Sequence, residues 1–87
     1  MSAFAYPVVL DLTGRPCLVV GGGAIAERKV AALVEARARV TVVSPSLTPA
    51  LLRLATEAPL RWRPREYAAG DAGGFVLVMV ATDDRAV

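Results

Sequence analysis

The sequence predicts an α/β fold on a parallel sheet, and three observations carry that expectation. Short β-branched or apolar runs recur at residues 17–20, 40–43 and 75–80. Between the first two, the apolar spacing turns helical: Ala26, Val30, Leu33 and Val34 fall at i, i+4, i+7 and i+8, one stripe of an amphipathic helix. Each change of period coincides with a breaker, Gly21-Gly22-Gly23 in one case and Ser44-Pro45 in the other. Strands that alternate with helices need crossover connections, which place consecutive strands parallel.

Taken in order, Pro7-Val8-Val9-Leu10-Asp11-Leu12 reads as a short first strand closed by the turn Thr13-Gly14-Arg15-Pro16. Cys17 to Val20 reads as a buried strand and Ala24 to about Ala36 as a helix with Glu27, Arg28, Lys29 and Glu35 on its wetter side. Val40 to Val43 is the next strand. Ser46 or Thr48 is placed to cap a second helix through Ala50, Leu51, Leu54 and Ala55, with Pro49 in its first turn, where a missing N–H does little harm. Leu60-Arg61-Trp62-Arg63 alternates like an edge strand. Phe75 to Val80 is a continuous apolar run, as expected of a strand covered on both faces.

Composition narrows the chemistry. The chain has 87 residues, room for one small domain, and 55% of them are apolar. It has no histidine, which excludes His-based acid–base catalysis and His metal ligation, and no metal site is expected. Its single cysteine, Cys17, sits in an apolar run and reads as a buried structural thiol; one cysteine permits no internal disulfide and fits a reducing cytoplasm. The N-terminus shows no signal-peptide pattern, and no apolar run approaches the roughly 20 residues that cross a bilayer. Neither membrane nor nucleic acid is an expected partner.

The glycines carry the functional expectation. Gly21, Gly23 and Ala26 satisfy G-x-G-x-x-A at a strand-to-helix turn. Gly21 permits a tight turn, Gly23 lets a phosphate approach the backbone, and Ala26 lets the helix lie close to the strand. The free N–H groups of the helix start, at the positive end of its dipole, suit a pyrophosphate. This points to a Rossmann-like, NAD(P)-binding parallel sheet. Only about the first half of such a domain is present, so residues 1–87 are expected to form a single, truncated domain. Ligands of such sheets bind beyond the carboxyl ends of the strands. That rule selects Gly21, Gly22, Gly23, Ala24 and Ile25 for pyrophosphate, Ser44, Pro45 and Ser46 for the adenosine ribose, and Thr82 and Asp83 for the reactive end. The Asp or Glu that often binds the ribose is missing after Val43; Ser44 and Ser46 are the available substitutes. Asp83 has two readings, a ribose or substrate contact and a helix cap, whereas Asp84 reads as the cap. Arg61, Arg63 and Arg65 alternate around Trp62 and share a face. That face is suited to polyanions or a carboxylated substrate, or else is a solvated edge protected from pairing by charge.

The string Gly21-Gly22-Gly23-Ala24-Ile25-Ala26-Glu27-Arg28-Lys29 resembles the opening of the sirohaem synthase N-terminal domain family, the precorrin-2 dehydrogenase and sirohydrochlorin ferrochelatase. The stretches Tyr6 to Leu12, Val40 to Pro45 and Ala81-Thr82-Asp83-Asp84 resemble its other landmarks. The resemblance implies NAD as cofactor, precorrin-2 as tetrapyrrole substrate, Fe²⁺ as the substrate of a second step that yields sirohaem, and a homodimer. It places the family's catalytic aspartate beyond Asp84, which leaves Asp83 as the one candidate here and implies that this stretch alone is inactive. One departure is Arg37, where the family usually has glycine at the end of the first helix. Two other classes stand beside this reading: a nucleotide-sensing Rossmann module of an ion-transport regulator, which normally keeps the missing acid, and a scaffold half-domain, whose glycine groove would be filled.

Overall fold

In the computed structural model, which describes residues 11–58 and 60–81, two helices and four strands alternate as the sequence predicts. They are β1 (Pro16–Val20), α1 (Ala24–Glu35), β2 (Arg39–Val43), α2 (Pro49–Glu57), β3 (Leu60–Arg63) and β4 (Leu77–Val80). The strands form one sheet in the order β3-β2-β1-β4, and all three pairings are parallel. The chain steps outward from β1 to β2 to β3, then returns to the other side of β1. The order therefore reverses at β1, and its carboxyl end is the switch point where such sheets take ligands.

Side-chain alternation divides the strands cleanly. Cys17 and Val19, Val40 and Val42, Leu60 and Trp62, and Leu77 and Met79 face one way and pack with Ala26, Val30, Leu33 and Leu51 of the two helices. Burying Val30 and Leu33 contributes roughly 1.5–3 kcal/mol each, which holds α1 on the sheet. On the other face, Leu18, Val20 and Val43 are covered by Ala72 and Phe75 from the β3–β4 connection.

Both helix ends are specified locally. Thr48, not Ser46, caps α2: its Oγ1 accepts from the Leu51 N–H at 3.3 Å, with Pro49 at the first helical position. At the end of α1 the Arg37 N–H donates to the Val34 carbonyl and the Ala38 N–H to the Leu33 carbonyl, a Schellman closure. Its left-handed residue is Arg37, at φ +63°.

Four expectations are corrected. The first strand, through Leu12, lies mostly outside the described residues. Asp11 and Leu12 belong to no strand, and the Asp11 carboxylate instead accepts from the Thr13 N–H at 3.0 Å to start the turn. The last strand begins at Leu77 rather than Phe75, because the Phe75 N–H is turned back to the Ala72 carbonyl. Nor do the described residues cover β4 on both faces: Val78 is 37% and Val80 59% exposed. An apolar run records what a strand tolerates, not what covers it, and β4 is the edge of the described sheet. Arg65 lies past the end of β3, so only Arg61 and Arg63 share its face.

Candidate dinucleotide site

The three stretches picked from the sequence start from one edge of the sheet, since Gly21, Ser44 and Ala81 each directly follow the carboxyl end of a parallel strand. Gly21 turns the chain out of β1 at φ +123°, a region that favours glycine. Its N–H donates to the Val43 carbonyl at 3.0 Å, so the glycine turn is tied to the end of β2.

Gly22 and Gly23 have opposite surroundings. A Cβ on Gly22 would lie 2.0 Å from the Ser46 carbonyl oxygen and 2.7 Å from the Ser44 Oγ; a Cβ on Gly23 would meet nothing within 4 Å. The carbonyl of Gly22 also accepts from the Thr48 N–H at 3.0 Å. Gly22 is thus the point where the glycine turn and the β2–α2 loop lock together, while Gly23 opens to solvent as a close-approach position should. This role of Gly22 was missed in the sequence. Its signal was the third glycine in a row, where the motif asks for two.

The start of α1 fits an anion. Gly23 is its N-cap, no side chain caps it, and the first intrahelical bond runs from the Glu27 N–H to the Gly23 carbonyl at 3.0 Å. The N–H groups ahead of that bond have no intrahelical acceptor. Ala24 and Ile25 are exposed beside them, and Ala26 is fully buried, which lets α1 sit close to β1. The cradle is open, cationic by its dipole and lined by backbone, as a pyrophosphate requires.

Ser44 serves the loop. It is buried, its hydroxyl donates to the Ser46 carbonyl at 2.7 Å, and its own carbonyl accepts from the Trp62 indole N–H at 2.9 Å. Its proton is therefore used in shaping the turn. Pro45 and Ser46 are exposed at the edge and supply the surface that a ribose would meet. Ala81 is buried, its N–H bonded to the Val20 carbonyl at 2.8 Å; Thr82, Asp83 and Asp84 lie outside the described residues.

The chain is similar to proteins of known sequence and structure. The siroheme synthase of Methylococcus capsulatus is 44% identical over 81 residues, which are 93% of this chain and 17% of that protein. That of Thioalkalivibrio sulfidiphilus is 49% identical over 79 residues, 91% of this chain and 16% of that protein. The chain thus spans about one sixth of the length of the curated relatives it matches. Among solved structures, "SirC, precorrin-2 dehydrogenase" superposes with a TM-score of 0.88 at 35% identity, over 94% of this chain and 41% of that one. Residues 8–87 match the NAD_binding_7 family, whose description reads "Putative NAD(P)-binding", and the chain belongs to that family.

Proposed function

We propose that this chain supplies the NAD-binding half of a precorrin-2 dehydrogenase. The observation that carries the reading is the pairing of Gly22, closed against the Ser44–Ser46 loop, with Gly23, open above the uncapped start of α1. A scaffold half-domain would have this groove filled. The similarity to siroheme synthases and to a precorrin-2 dehydrogenase supplies the substrate class.

On this reading Gly21, Gly22, Gly23, Ala24 and Ile25 hold the pyrophosphate through backbone N–H groups, and Ser46 and Pro45 border the adenosine ribose, shaped by Ser44. Thr82 and Asp83 stand toward the reactive end. When bound, NAD⁺ accepts the hydride that leaves precorrin-2 as it becomes sirohydrochlorin, with release of one proton. The chain's part is to bind and orient. Fe²⁺, inserted in a later step to give sirohaem, is a substrate of the whole protein, which we take to act as a cytoplasmic homodimer.

Calorimetric titration with NAD⁺ and NADP⁺ tests the cradle. Saturable NAD⁺ binding is expected to weaken at least tenfold in Gly23→Val, with little change in melting temperature, because the new side chain enters open space where the phosphate would sit. Equal NAD⁺ affinity in Gly23→Val would remove the glycine turn from the site.

A further inference from the structure

The arginines of β3 belong to a second concavity, on the face of the sheet away from the helices. The register sets Thr41 beside Arg61 and Val43 beside Arg63. Alternation then puts Arg39 and Thr41 of β2, and Arg61 and Arg63 of β3, on the face away from the helices. The Gly73-Gly74-Phe75 turn rises against them and closes a cleft of about 430 Å³. Pro16 and Arg39, at the amino ends of β1 and β2, also line it, and no residue of the glycine turn does.

Its charge is unbalanced. Among the described residues, Arg39 and Arg61 make no ion pair, and Arg39 uses one N–H on the Gly14 carbonyl at 2.9 Å. Arg63 lies 3.7 Å from Asp71 and stacks over the Phe75 ring at 5.8 Å, but Asp71 is held more closely by Arg65, at 2.6 Å. A hydroxyl side chain, Thr41, shares this lining. It is only 7% exposed, and since no buried side-chain oxygen among the described residues lacks a partner, its hydroxyl is not a buried orphan.

We propose that this cleft is a binding site for a small anion bearing two or more phosphate or carboxylate groups. Arg61 and Arg39 are its charge partners, and the Thr41 hydroxyl donates to one of its oxygens. Guanidinium forks match both kinds of oxyanion, and the Gly73-Gly74 backbone leaves the cleft wall low enough for one to enter. The site is independent of the dinucleotide reading.

The test is a titration of the isotope-labelled intact chain, followed by amide NMR shifts, with pyrophosphate and separately with tricarballylate at low salt. Saturable shifts are expected at Thr41, Arg61, Gly73 and Gly74 with at least one probe, and the tighter probe tells phosphate from carboxylate. Arg61→Gln should weaken that binding about tenfold or more, and the near-isosteric Thr41→Val about threefold, with the remaining spectrum unchanged. Three results overturn the proposal: no saturable shift with either probe, shifts confined to residues 21–25, or unaltered affinity in either variant.

Discussion

At the scale of single residues, the glycine turn shows how adjacent glycines serve unlike ends. The motif made Gly21 and Gly23 legible, because positive φ and close approach are local requirements that any such turn imposes. Gly22 was illegible, since the atoms that exclude a side chain there belong to Ser44 and Ser46, more than twenty positions away. Gly22→Ala should lower stability by about 3 kcal/mol, the upper end for overpacking, because the obstacle is backbone; denaturant melts measure it. Asp71 makes a second residue-scale case. The Arg65 guanidinium, bound to both its oxygens at 2.6 and 2.7 Å, and the Ala68 N–H hold its carboxyl far below the ordinary 3.8. A lowered folded-state pKa contributes stability that is complete above the unfolded value and is lost as pH falls through the folded one. Asp71→Asn should therefore destabilise by the same amount from pH 5 to 8. The gap to the parent should narrow below about pH 4, as thermal melts across that range would show.

At the scale of elements, boundaries were readable wherever they rest on local chemistry. Pro49 and Thr48 begin α2, and the stripe through Ala26, Val30 and Leu33 selects the face of α1 that is buried. Arg37 is the instructive exception. A non-glycine residue casts doubt on a left-handed helix end, yet the closure forms. Its two backbone bonds and the burial of Ala38 beside Leu33 outweigh a left-handed cost of about 1–2 kcal/mol. Arg37→Gly should then raise stability by about 0.5–1 kcal/mol, the relief being partly offset by the greater freedom of glycine in the unfolded chain. A lower denaturation midpoint in that variant would show that the Arg37 side chain itself stabilises the turn. The β3 strand, read as edge-like from its alternation, is indeed an edge of the described sheet. Its Trp62 supplies what alternation does not reveal, an indole N–H that holds the Ser44 carbonyl at the exit of β2.

At the scale of the whole molecule, the helices lie over one face of the sheet, and the switch point at β1 gathers the loops of the dinucleotide site. Cys17, in central β1, is fully buried, and burial pushes its thiol pKa up. It should resist a thiol reagent such as dithionitrobenzoate in the folded chain and react only through opening of the core. The labelling rate should rise with denaturant in step with global unfolding, and fast labelling without denaturant would show that β1 opens locally. Among the described residues, no helix is long and apolar enough to cross a membrane.

The amino-acid sequence by itself determined the alternation of strands and helices, the parallel sense of the sheet, the glycine turn and its family. All of these rest on periodicity, breakers and short motifs, which act within a few residues. Only the tertiary structure decided that Gly22 is closed and Gly23 open, that Ser44 shapes its loop, that one face of β4 is bare in the described sheet, and that Arg39, Thr41 and Arg61 meet around one cleft. Those facts depend on strand order and register, which bring together atoms whose separation along the chain carries no local signal.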